Sequence, residues 1–442
     1  MIFPLPLNPW TLEPFMFYDV IVIGAGLAGL MAAEVAQERG ARVLILAKGM
    51  GSLPLTSGCV DGLGYFPSSS PVPVSSPLGA LSRLKEFHPQ HPYSKLGMEK
   101  ILPALKQFQD LTGSDALPYA GRFDSNILIP TSLGTFHPTC LVPETMKNGN
   151  LSLPGRILLL GFEGLKDFSV YLTAENLNLL QARGIIAPSF RAETLAKMDL
   201  GKKALNSLNL AEALDEEDFR GHLARQIQPL LKPGEKLGLP AVLGFRSSHA
   251  AWTDLQKKLG TEIFEIPLPP PSIPGLRLYN LIRSHLQGKG VRTIIGLSLL
   301  KPITGAGEIK GIELGESRKS PIYRASAYVL ATGKFVGGGL DAQPNRIFET
   351  LFDLPVQYPR NRKEWFNPQL LTPAGQPFNS FGVEVNENLQ PIDTAGKILY
   401  RNLYAAGGIL AHADSIAEKS GGGVAIATGH VAGKLAAACV EK

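Results

Sequence analysis

Cysteine is scarce in this chain: Cys59, Cys140 and Cys439 are the 3 among 442 residues, far apart and without a C-x-x-C between them. That spacing excludes a disulfide framework. With no clustered histidines either, no zinc or iron–sulfur site is expected here. Such sparse cysteine suits a reducing compartment. Long apolar runs are missing too, since none reaches the ~18 residues of a membrane span. Charge is modest: charged residues make up 18%, and 43 basic against 38 acidic side chains leave +5. That surplus is too small and scattered for a nucleic-acid surface, but it suits a small anionic substrate. The first residues are proline-rich and have no basic stretch, so they do not read as a signal peptide. Residues 1–16 are expected to be a loose extension.

Glycine and proline are abundant, at 47 and 35. They follow no repeat and so mark many tight turns. Apolar residues at 44% can fill the cores of two or three domains of ~150 residues each. The clearest local pattern is near the start. Tyr18 to Ile23 reads as a buried strand, Leu27 to Arg39 as a helix, and Arg42 to Leu46 as a second strand. Between the first two lies Gly24-Ala25-Gly26-Leu27-Ala28-Gly29, a G-x-G-x-x-G. Gly24 allows the tight turn, Gly26 lets phosphate oxygens reach the main chain, and Gly29 lets helix and strand approach. The amides at Leu27 and Ala28 then face the anion. The carboxylate that usually ends the second strand and holds a ribose is replaced by Ala47-Lys48. Either the ribose is held by main chain or water, or the adenosine half is absent and Lys48 meets a phosphate, as in an FMN site.

Three further segments favour a flavin over NAD. Ala325 to Ala331 is a strand running into Thr332-Gly333, preceded by short strands at Val291–Leu300, Ile309–Leu314 and Pro321–Tyr323. Leu403 to Gly408 is a strand ending in glycines, with Gly407 at the turn. Ser420-Gly421-Gly422-Gly423 opens a helical run to Cys439. A helix start with free amides suits the polar edge of an isoalloxazine ring. The fold expected is an α/β, two-dinucleotide-binding-fold flavoprotein. Its Rossmann-like nucleotide domain comprises 17–60 and 291–442, with a β-meander, and an inserted α/β substrate domain covers 61–290.

The residues resemble a family, the B subunits of anaerobic glycerol-3-phosphate dehydrogenase. The pieces are IVIGAGLAGL (21–30), SGCVDGLGYFP (57–67), HPYSKLG (91–97), GFEGLKDF (161–168), LPPPSIPGLRLYNLI (268–282), VLATGKFVGGGL (329–340) and SGGGVA (420–425). HPYSKLG and the Pro-rich segment are the most distinctive, while the glycine segments are shared with fumarate reductase-like flavoproteins. The resemblance implies a flavin, FMN in this family with FAD as the alternative. It implies oxidation of sn-glycerol 3-phosphate to dihydroxyacetone phosphate, with electrons passing towards quinone. The partners implied are a catalytic A subunit and an iron–sulfur C subunit, and the location is peripheral, at the cytoplasmic face of the membrane. Ser57 and Gly58 join the expected cofactor contacts, and Asp414 is implied as a ligand of a ribityl hydroxyl.

Oxidising a secondary alcohol needs a base, and a phosphate ester needs a cation. His91 in HPYSKLG and His412 in the 411–414 segment are the candidate bases, with His137 behind them. Arg277, just past the Pro-rich bend, is the candidate anion anchor. Two rival readings stay open. One is a stand-alone fumarate reductase-like enzyme acting on another anion. The other is an electron-relay or scaffold subunit with no chemistry of its own.

Overall fold

Val20, Ile21, Val22 and Ile23 are all buried, as are all five residues of Val43–Ala47, so neither strand shows a polar face. Continuous apolar strands of this kind belong in a parallel sheet covered on both sides. The computed structural model describes residues 16–440 other than 114–116, 197, 298–299, 316–319 and 373–374. The expected extension lies outside these except for Met16, which opens strand β1 (Met16–Ile23). Helix α1 (Leu27–Glu38) and strand β2 (Val43–Ala47) follow, close to the spans the sequence suggests.

A second sheet comes next in the chain. Strand β3 (Arg156–Phe162) leads through helix α2 (Val170–Ala182) to β4 (Ser189–Leu195), and β5 (Glu235–Pro240) and β6 (Ile263–Ile266) complete it. The order is β4-β3-β5-β6, every pair parallel. It has its own core, including Leu158, Leu159, Leu237, Trp252 and Phe264. Helix α3 (Ile273–Gly288) returns the chain to the first sheet.

The remaining strands are β7 (Arg292–Ile295), β8 (Leu300–Gly305), β9 (Glu308–Leu314), β10 (Ile322–Leu330) and β11 (Leu403–Ala405). The last helix is α4 (Gly421–Ala438). The first sheet runs β7-β2-β1-β10-β9-β8. β10 is long enough to divide its outer edge: residues 322–323 pair with the meander strand β9, and 328–330 pair with β11. The single strand expected over 291–300 is two strands. Gly296, at φ 92°, turns the chain between them, so β7 pairs with β2 while β8 joins the meander.

Helices Pro77–Phe87 and Met98–Thr112 also differ from expectation. Leu81, Leu84, Ile101, Leu105 and Phe108 pack into the first core, although the sequence pattern assigns everything from 61 to 290 to the insert. α1 and α4 lie against each other at close range. A Cβ at Gly429 would meet the Ala28 carbonyl, and one at Gly433 the Ala32 carbonyl.

Candidate functional site

The C-terminal ends of β1, β10 and β11 and the starts of α1 and α4 meet on one side of the first sheet. Gly24, at φ 116°, presses on the Ala331 carbonyl and the Thr332 amide nitrogen, positions closed to any side chain. Gly29 packs on the Gly24 carbonyl in the same way, so its role is to let α1 approach the strand. Gly26 caps α1, with no side chain accepting from the first turn and no acidic residue in it. Around Gly26 there is space: a Cβ there would find only the Gly51 Cα within contact range, at 3.9 Å. The amides of Leu27 and Ala28 therefore face an open recess.

Further glycines border the same recess. Gly408 comes within 3.7 Å of Gly333 Cα by the same measure, and Gly407 sits on the Ala28 β-carbon. The Gly407 amide is spent on Thr428 Oγ1, at 2.8 Å. Thr332 Oγ1 is buried without a hydrogen-bond partner. Lys48 Nζ lies 3.5 Å from where a Cβ on Gly338 would project. α4 starts at Ser420, whose side chain does not cap the helix because its hydroxyl donates to Glu418 Oε2, at 2.8 Å. Gly422 and Gly423 bring the helix against the main chain of Val60 and Asp61, and the Gly423 amide donates to the Asp61 carbonyl at 2.9 Å.

Two helix starts without side-chain caps, an unpartnered buried hydroxyl and the room beside Gly26 suit a group with phosphates at one end and a polar ring edge at the other. A flavin nucleotide fits that description. Gly58, at φ 79°, is pressed on Pro274 and Gly275 at the start of α3, and Ser57 Oγ accepts from the Cys59 amide at 3.2 Å. Gly58 thus lets the 57–59 turn pack on the start of α3.

The candidate catalytic residues separate sharply. His91 is fully buried, with Nδ1 accepting from the Tyr93 amide at 3.1 Å and Nε2 on Glu418 Oε2 at 3.2 Å. Both ring nitrogens are occupied, which removes it as a base. Arg277 is also not an anchor for substrate. It is 5% exposed, its Nε donates to the Gly244 carbonyl at 2.8 Å, and its two Nη atoms hold Glu265 at 2.7 and 3.0 Å. Thr145 Oγ1 and the Leu243 amide donate to the same carboxylate, so the cluster braces the inserted domain.

His412 is different. Its ring is 29% exposed, and its backbone, at φ 69°, is in a conformation that non-glycine residues seldom adopt. The His412 amide donates to the Ser380 carbonyl at 2.8 Å, and Nε2 meets Glu384. Lys95 Nζ holds the other oxygen of Glu384 and donates to the Val385 carbonyl at 2.6 Å. Burial works to raise the Glu384 carboxyl, but bonds to His412 and Lys95 hold it below the ordinary carboxylate range.

Lys334, just after Gly333, donates to the Asn379 and Ala413 carbonyls, and burial pushes its ammonium down to about 8. Asp414 Oδ1 accepts from the amides of Ile416 and Ala417, so that oxygen serves a turn, and burial raises the carboxyl.

Some residues at the site carry no signal that the sequence pattern alone would single out. Lys95 and Glu384 are two. Asp61 holds His137 Nε2 at 2.8 Å beside the start of α4. Burial would raise the Asp61 carboxyl, but His137, Thr139 and Lys419 together keep it low. Lys419 itself has φ 51°, and its ammonium has no hydrogen-bond or ion-pair partner among the described residues. A lysine next to a glycine run that opens a helix is the one available clue.

Residues 19–424 match the model of the FAD binding domain family. The B subunit of a probable anaerobic glycerol-3-phosphate dehydrogenase from Halobacterium salinarum is 34% identical over 431 residues, covering 96% of this chain and 98% of the relative. Its counterpart in the anaerobic glycerol-3-phosphate dehydrogenase of Pectobacterium carotovorum is 32% identical over 426 residues, covering 95% and 99%. Among solved structures, the open conformation of a flavocytochrome c3 fumarate reductase aligns with 97% of this chain and 80% of its own, at 11% identity and a TM-score of 0.44. The chain thus belongs to the FAD-binding flavoproteins and, within them, to the B subunits of anaerobic glycerol-3-phosphate dehydrogenase.

Proposed function

We propose that this chain carries FAD in the recess between β1, β10 and α4 and takes part in the oxidation of sn-glycerol 3-phosphate. The observation that carries the reading is the pair of helix starts without side-chain caps, at Gly26 and Ser420, together with the buried, unpartnered hydroxyl of Thr332 at the end of β10. FAD replaces the expected FMN because the family matched is one of FAD binding domains. Without a carboxylate at the end of β2, the ribose is left to main chain or water.

Bound there, a flavin supplies the two-electron oxidant that a secondary alcohol requires. The rest falls to side chains. Of His91 and His412, only His412 has a free ring nitrogen and an exposed face, so it takes the hydroxyl proton. Lys419 takes the place of Arg277 as anchor for the phosphate: its ammonium makes no hydrogen bond or ion pair among the described residues, and it stands beside amides that favour an anion. Lys48 and the first turn of α1 hold the cofactor's own phosphates. A catalytic A subunit and an iron–sulfur C subunit would be its partners, the latter carrying electrons towards quinone, and they would supply attachment at the inner face of the membrane. Among the described residues no helix is long and apolar enough to cross a membrane.

Purified protein tests this directly. A yellow preparation that releases FAD on denaturation is expected. Release of FMN would overturn the cofactor assignment, and a colourless protein that takes up no flavin would overturn the whole reading. Bleaching by glycerol 3-phosphate without partners would place the chemistry here, and bleaching only with the A subunit would make this chain a relay.

A further inference from the structure

His412 has two unusual neighbours, and HPYSKLG supplies one of them. The segment Ser380–Glu384 is joined to 410–412 by a parallel bridge between Val383 and Leu410, and the Ala411 and His412 amides donate to the Val383 and Ser380 carbonyls. Gly382 permits this, since a Cβ there would strike the main chain of residues 409–411. The two strips therefore move as one unit, and Glu384 projects onto the imidazole. Lys95 then clamps Glu384, while His91, four residues earlier on the same motif, clamps Glu418 at the far end of the same loop. His412 keeps its strained backbone because both ends of its segment are tied to one short helix, Pro92–Leu96.

We propose that Glu384 and Lys95 are positioning residues for His412, setting the tautomer and basicity of its ring for proton abstraction. An ionised carboxylate only accepts, so Glu384 fixes the ring proton on Nε2 and leaves the Nδ1 lone pair free. Nδ1 has no hydrogen-bond partner among the described residues. The substrate O–H breaks with its proton going to Nδ1, and the neighbouring carbon gives up its hydrogen with two electrons to the flavin of the proposed function. Imidazolium is then stabilised by Glu384, and Lys95 limits that stabilisation by sharing the carboxylate. The other charged groups around the ring's loop are Lys334, Asp414, Lys419 and the Glu418–His91 pair. None of them bonds the ring.

The inference rests on His412 acting as the base, and the experiment keeps the two apart. The flavin-loaded protein with its partner subunits is assayed from pH 5 to pH 9 as wild type, Glu384→Gln, Glu384→Asp and Lys95→Met. Ring signals of His412, assigned with His412→Asn, are titrated by NMR in this chain alone. Glu384→Gln is expected to lower kcat at least tenfold and move the acid limb of the profile down by about one pH unit. Lys95→Met should move it up by a similar amount, and Glu384→Asp should restore most of the rate. The NMR midpoints should move in the same two directions. Equal losses in both variants without opposite displacements would reduce the pair to structural braces and overturn the proposal. If His412→Asn turned over normally, the assignment of the base would fall with it. If no flavin bound, the ring titrations would still decide whether Glu384 and Lys95 tune the imidazole.

Discussion

Arg277 and Lys419 show at the scale of single residues why a cation's place in the sequence does not disclose its task. Both stand near the start of a helix. Arg277 is spent on Glu265, twelve positions before it, in a pair whose side chains are 3% and 0% exposed. Removing one partner of such a pair leaves the other charge buried and alone. Arg277→Met is expected to cost about 3–5 kcal/mol, read as a lower denaturant midpoint. It should leave the KM for glycerol 3-phosphate close to wild type in whatever fraction remains folded. Lys419→Met should do the opposite: a KM at least tenfold higher, with thermal stability changed little, because its ammonium makes no hydrogen bond or ion pair among the described residues and Asp61 keeps His137. A normal KM in Lys419→Met would send the search for the phosphate site elsewhere.

The elements are legible in the sequence where their signal is local. The turn at Gly24, the helix after it and the two buried strands are set by neighbours within a few residues. So are β10 running into Thr332-Gly333 and the glycine-opened α4. Helices Pro77–Phe87 and Met98–Thr112 are not legible in this way, nor is the hairpin of Ile127–Pro130 with Phe136–Thr139. HPYSKLG stands out as a motif, yet its histidine draws the eye when it is Lys95 that reaches the site. Nothing in the heptapeptide says which side chain will meet a carboxylate 289 residues away. The spacing of Gly429 and Gly433 is equally silent. Its meaning lies in the Ala28 and Ala32 carbonyls of α1, which only the folded pair brings close. Gly429→Val should therefore drive α4 off α1, since the backbone on the other side cannot yield as a side chain would. A drop in melting temperature together with a flavin-to-protein ratio well below that of wild type is the expected outcome. Full flavin occupancy would mean that the two helices need not be this close to form the recess.

At the scale of the whole molecule, segments far apart in the chain meet around the site along a seam held by ionised carboxylates. Asp61 holds His137 of the hairpin, Glu418 holds His91, and Glu384 holds Lys95 and His412. All three carboxyls lie below their ordinary values of 3.8, 4.5 and 4.5. A carboxyl with a depressed folded value stabilises the protein fully above its unfolded value and loses that contribution as pH falls through the folded one. The unfolded chain takes up these protons first, so the loss begins below about pH 4.5 and deepens as acid is added. Asp414 and Glu349 run the other way: their raised carboxyls bind protons sooner in the folded state, so acid relieves a cost there. Glu349, buried beneath the amides of Leu351 and Phe352, belongs to the first core and not to the seam. The inserted core is filled by Leu158, Leu237 and Phe264 and braced by its own pair, Arg277 and Glu265. Acidification from pH 6 to pH 3 should consequently release flavin, seen as a rise in its fluorescence, before the helical circular-dichroism signal falls. Both signals collapsing at one pH would mean that the seam and the cores unfold as a single unit, and that these carboxylates do not set the order of loss.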